Sequence, residues 1–128
     1  MLNISDNPLL EDFGKAILKL QEVLKLEKTE VVRDSAIKRF EICFDLAWKC
    51  IKVSAKKEGV ECFSPRACFK AAFQIKLIDY DEIWLKILDD RNLTTHVYKE
   101  KYAEEVYERL FGYVEYFKKL LDELKKEE

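Results

Sequence analysis

The sequence is poor in glycine, proline and histidine, with three, two and one of them in 128 residues. A fold of short strands and tight turns needs many more turn residues, so the composition points to long helices. No run approaches the roughly 18 consecutive apolar residues of a membrane span. The start, Met1 to Pro8, has no basic region followed by an apolar one, so no signal peptide is expected. The chain therefore reads as cytoplasmic. Nor is one sign of charge in excess: 23 basic and 25 acidic residues intermix to a net charge of −2. Long-range attraction to nucleic acid is not indicated, and any RNA contact would come from a local cleft. One histidine cannot complete a Cys/His zinc set, and no metal or cofactor is expected.

The four cysteines fit the same picture. Cys43 and Cys50 lie seven apart on one expected helix, about 10 Å in rise, too far to bridge. Cys62 and Cys68 lack C-x-x-C spacing, so all four are expected as reduced thiols.

What is present is helical periodicity along a single domain, residues 1–128. Helix 1 is expected from about Leu9 to Glu27, with Phe13, Ile17, Leu20 and Leu24 on one face. Helix 2, from about Glu30 to Lys57, is apolar on two sides: Ile37, Phe40, Phe44, Trp48 and Ile51 on one, Ile42, Leu46 and Val53 on the other. Its polar stripe is narrow and includes Glu41 and Asp45. Two apolar sides need two covers, the bundle core and, for the second, another subunit. Gly59 suits the residue just past its end.

Helix 3 begins at Ser64-Pro65, an N-cap followed by an N1 proline, with Phe63 placed to staple onto Cys68, and is expected to reach about Ile78. Asp81 is a fair cap for helix 4, and helix 5 is expected from about Lys101 to Lys125. The resulting fold class is all-α: an up-and-down four-helix bundle with an additional short helix, dimeric.

The stretch with chemical potential is Asp89-Asp90-Arg91-Asn92-Leu93-Thr94-Thr95-His96-Val97-Tyr98, which holds the lone histidine. Arginine presents a fixed charged fork to phosphate, and histidine can move protons near neutral pH. Arg91 continues the apolar stripe Trp84, Ile87, Leu88, so a carboxylate from Glu41 or Asp45 would be its structural partner. Asp89, Asn92 and His96 share another face, where Asn92 or Asp89 can orient the imidazole. On a regular helix Arg91 and His96 point about 140° apart. Either the helix loosens near Thr94-Thr95 or a second copy of the chain completes the site. From the residues alone, an ordinary polar helix end is the plainer account.

Arg91-x4-His96 with polar Asn92 and the added Tyr98 resembles the R-x4–6-H motif of the HEPN superfamily, in the R-x4-H-x-Y form of toxins paired with a minimal nucleotidyltransferase. Arg39-Phe40-Glu41, Phe44-Asp45-Leu46-Ala47-Trp48-Lys49, Ser64-Pro65-Arg66 and Asp90-Arg91-Asn92 resemble the nucleotidyltransferase substrate-binding-like proteins, over roughly residues 10 to 125. The resemblance implies a homodimeric helical bundle partnered by a minimal nucleotidyltransferase encoded nearby, with RNA or nucleotide as ligand. In the toxin branch it implies a metal-independent ribonuclease in which His96 is general acid or base, Arg91 holds the phosphate and Asn92 orients one of them. Tyr98 would accept AMP from the partner, while Glu41, Asp45 and Asp89 would bind or support. The alternative is a non-catalytic substrate- or nucleotide-binding subunit of a two-component nucleotidyltransferase. The chain has no Gly-Ser…Asp-x-Asp signature of its own.

Overall fold

A computed structural model describes residues 7–79 and 82–126. It contains five α-helices: α1 (Pro8–Leu24), α2 (Glu30–Lys57), α3 (Pro65–Gln74), α4 (Ile83–Leu93) and α5 (Glu100–Lys126). A single 3-10 turn, Thr94–His96, lies between the last two. Each of the first three helices begins as its sequence dictates. The side chains of Asn7, Thr29 and Ser64 accept backbone hydrogen bonds from Leu10, Val32 and Ala67, and proline opens α1 and α3. The Asp81 cap expected for α4 lies outside the described residues.

Two helix ends fall earlier than periodicity suggests. α1 stops at Leu24, not Glu27, because the amides of Lys25 and Leu26 turn back to Glu22 and Val23 and close the helix tightly. α3 stops at Gln74, not Ile78. There Lys76 takes φ +67°, its amide bonds to Phe73 and that of Leu77 bonds to Ala72, the paired closure of a left-handed helix end. At the end of α2, Gly59 supplies the same left-handed step at φ +81°, as expected.

Helices α1, α2 and α5 pack on one another; α3 lies on α2, and α4 lies against α3 and α5. Aromatic rings join the two groups. Phe13 meets Phe117 edge-on at 6.2 Å, Trp84 meets Phe117 at 5.9 Å, and Phe69 stacks on Trp84 at 5.0 Å. Such pairs add about 0.5–1.5 kcal/mol each beyond the area they bury. The two-sided character of α2 is partly realised. Phe40, Phe44 and Ile51 are buried and Trp48 is partly buried, whereas Ile42 and Val53 on the far side stay exposed.

The expectation for the cysteines needs correction. Cys43 and Cys50 are buried thiols outside any disulfide, but Cys62 and Cys68 form one. The reversal of the chain before α3 brings their Cα atoms to 5.1 Å, within bridging range although no C-x-x-C spacing announces it. The disulfide also takes over the clasp assigned to Phe63, whose ring is 72% exposed with the Lys52 ammonium 5.2 Å above it. Burial pushes the Cys43 thiol up to about 12, so it stays protonated and unreactive. Alkylation of denatured but unreduced protein is expected to add two labels per chain and four after reduction; four labels without reduction would refute the disulfide.

Candidate functional site

The Arg91–Tyr98 stretch sits where α4 ends. Thr94 Oγ1 donates to the Arg91 carbonyl at 2.6 Å, and Thr95 Oγ1 donates to the Asn92 carbonyl at 3.1 Å. These local bonds compete with the α-helical ladder, and the helix tightens into the 3-10 turn at that point. The helix thus departs from regular α geometry near Thr94-Thr95, but by tightening and not by the expected loosening. It does not bring the two key side chains together. Among the described residues, no hydrogen bond or ion pair joins Arg91 to His96.

Arg91 faces α2. Its Nε and Nη2 approach the two oxygens of Asp45 at 3.4 and 3.3 Å, and its Nη1 lies 3.4 Å from Glu41 and 3.0 Å from Thr94 Oγ1. Both carboxylates anticipated from the polar stripe of α2 are thus in place. The contacts are long beside the roughly 2.7–2.9 Å of strong charge-assisted bonds. Arg91 is half-buried, and its bonds are weaker than short charge-assisted ones because of their length.

His96 is exposed, and its Nδ1 lies 3.4 Å from the hydroxyl of Tyr98, itself 76% exposed. Tyr98, rather than Asn92 or Asp89, is the imidazole's hydrogen-bond neighbour among the described residues. Asp89 and Asn92 are exposed.

Sequence reading missed two charged groups that hold this segment. Asp90 is 1% exposed, and Arg109 Nε and Nη2 donate to its two oxygens at 2.7 and 2.8 Å. The Tyr113 hydroxyl donates to one of the same oxygens. Burial first, and then the bond to Asp90, raises the Tyr113 phenol above its usual range. Removing one member of a buried charge pair costs about 3–5 kcal/mol. A signal was available: Ile83, Ile87, Asp90 and Thr94 follow helical spacing on one inward-facing stripe.

The second group is Arg33, 4% exposed on the stripe that continues through Ala36, Ile37 and Phe40. Its Nη1 donates to Glu100 at 2.6 Å and to Glu104 at 2.9 Å, while Nε reaches Asp34 at 3.0 Å. Lys28 also pairs with Glu104. The Arg33 bond lowers the Glu100 carboxyl below its usual range, and Lys28 and then Arg33 lower Glu104.

With this geometry in place, the comparisons with known proteins fix the family. A family model described as nucleotidyltransferase substrate binding protein like matches residues 9–126. The chain belongs to that family. A crystal structure of a protein from Thermus thermophilus is 35% identical, with a TM-score of 0.82 over 88% of this chain and 98% of that one. HI0074 from Haemophilus influenzae, described as revealing the fold of a substrate binding domain of a nucleotidyltransferase, shares the fold at 20% identity and a TM-score of 0.79. That match covers 91% of this chain and 98% of HI0074. No functionally curated protein matches the chain. Among the described residues, no helix is long and apolar enough to cross a membrane.

The depressed carboxyls set a pH dependence. Unfolded Glu100 and Glu104 protonate near the ordinary value of 4.5 and the folded ones only lower. Their contribution to stability is therefore full above that value and lost as pH falls through the folded values. Glu100→Gln should melt below the wild type at pH 7, with the gap closing toward pH 3; a gap independent of pH would contradict the Arg33 pairing.

Proposed function

We propose that this chain is the non-catalytic binding subunit of a two-component nucleotidyltransferase and that the Arg91–Tyr98 surface meets the partner or its nucleotide. The family match over residues 9–126 carries this reading. Transferase chemistry comes from a separate small nucleotidyltransferase, since this sequence lacks the Gly-Ser…Asp-x-Asp signature. Arg91 supplies a fork for phosphate, and its long contacts to Asp45 and Glu41 exchange for phosphate oxygens at little cost. Asp89 and Asn92 add hydrogen-bonding groups beside it.

Where the chain acts as a toxin-like ribonuclease, the exposed Tyr98 hydroxyl is the acceptor for the AMP that neutralises it. Transfer joins its oxygen to the α-phosphorus of ATP and releases pyrophosphate, and His96, 3.4 Å away, is placed to take the phenolic proton. The attached phosphate adds negative charge and bulk at the surface. A homodimer forms through the exposed far side of α2, where Ile42 and Val53 lack cover.

Co-expression with the small nucleotidyltransferase encoded next to this chain tests the assembly. Light scattering of the purified complex is expected to find two copies of this chain, and α-labelled ATP should label wild type but not Tyr98→Phe. A chain that is monomeric and binds no nucleotidyltransferase overturns the reading.

A second reading, a HEPN-type metal-independent ribonuclease, is favoured by the exposed His96 beside Tyr98 with Arg91 five residues before it. In it His96 acts as general acid or base at the ribose 2′-OH or the leaving oxygen, Arg91 offsets transition-state charge and Asn92 orients one of them. Because Arg91 and His96 do not meet within one chain, this reading needs the dimer to complete the cleft. Total RNA incubated in EDTA should then be cut by wild type, with activity reduced at least about 100-fold in His96→Ala and Arg91→Ala. Equal cutting by all three proteins, or none by wild type, counts against it.

A further inference from the structure

We infer that Asp90 and Arg33 are positioning residues of the Arg91–Tyr98 surface, each a buried charge that anchors one end of the segment through its ion pairs. This inference rests on the proposed role of that surface.

The segment has few means of fixing itself. Asn92, Thr95, His96, Tyr98 and Lys99 are exposed, and Leu93 and Val97 are only partly buried. Apolar burial alone therefore gives the stretch between α4 and α5 little hold. At its upstream end, the residue directly before Arg91 is Asp90. Both its carboxylate oxygens are occupied by Arg109, and one also by Tyr113, which locks the last turn of α4 to the middle of α5. At its downstream end, Glu100 opens α5 two residues after Tyr98, and with Glu104 it holds Arg33 at the start of α2.

Each anchor has a direction. The guanidinium of Arg109 meets Asp90 as a planar fork, which fixes rotation as well as distance. Rotation of α4 by a single residue would carry Arg91 about 100° away from Asp45 and Glu41. Arg33 likewise binds two carboxylates one helical turn apart, which fixes the direction in which α5 leaves the segment. Asp90 lies on α4 and Arg33 on α2; both pair with α5 but share no residue. Loss of either should loosen the site, and loss of both should do so additively.

The test uses isotope-labelled full-length protein and mild variants. Tyr113→Phe removes one donor to Asp90, and Glu100→Gln weakens the Arg33 pair from its exposed side. Arg33→Lys keeps the charge and loses the fork, against Arg33→Gln, which loses both. Ile51→Val is a core control of comparable destabilisation. Backbone amides of residues 93–98 and the Arg91 Nε signal should shift, and those amides should exchange faster, in the anchor variants but not in the control. Lysine should restore only part of the wild-type pattern. Affinity for the nucleotidyltransferase should fall roughly three- to ten-fold, the size of about one net hydrogen bond. Wild-type shifts and exchange at residues 93–98 in both Tyr113→Phe and Glu100→Gln would overturn the inference. If the wild type binds no nucleotidyltransferase, the proposed function fails while the amide measurements still decide the positioning.

Discussion

One buried carboxylate sets the frame of this molecule. Asp90 is shut away from water, and an anion in that setting is tolerated only when its oxygens are filled. Arg109 and Tyr113 fill them, so α4 can neither slide along α5 nor rotate on its axis without exposing an unpaired charge to an apolar environment. Everything at the candidate site is placed relative to that constraint. Arg91 follows directly, the 3-10 turn begins at Thr94, and the chain then enters α5 under the hold of Arg33.

The three arginines divide the work by their environments. Arg109 and Arg33 reach their partners at 2.6–2.9 Å, with Asp90 and Arg33 themselves almost fully buried. Arg91 holds Asp45 and Glu41 at 3.3–3.4 Å from a half-buried position. The pairs of Asp90 and Arg33 are structural because losing a partner strands a buried charge. The longer contacts of Arg91 are weaker charge-assisted bonds. The same residue type therefore makes short ion pairs in two places and longer ones in a third.

Helix α2 connects these functions. Its first turns carry Arg33, its middle carries Glu41 and Asp45, and its Lys52 lies over Phe63 beside the Cys62–Cys68 bridge. Its inner face is held by aromatic packing, while Ile42 and Val53 remain outside.

By itself the sequence determined the helices, the capped start of α3 at Ser64, and the closure of α2 at Gly59, because these depend on residues within a turn or two. It also showed Arg91 on an apolar stripe with Glu41 and Asp45 as candidate partners, since helical spacing reports which way a side chain faces. Tertiary structure decided what that spacing cannot encode. Asp90 and Arg33 meet partners 19 to 71 residues away, and the Cys62–Cys68 bridge depends on how the chain folds back before α3. The choice of Tyr98 over Asn92 as neighbour of His96 likewise depends on a 3-10 turn, which abolishes the regular angular offsets that sequence reading assumes.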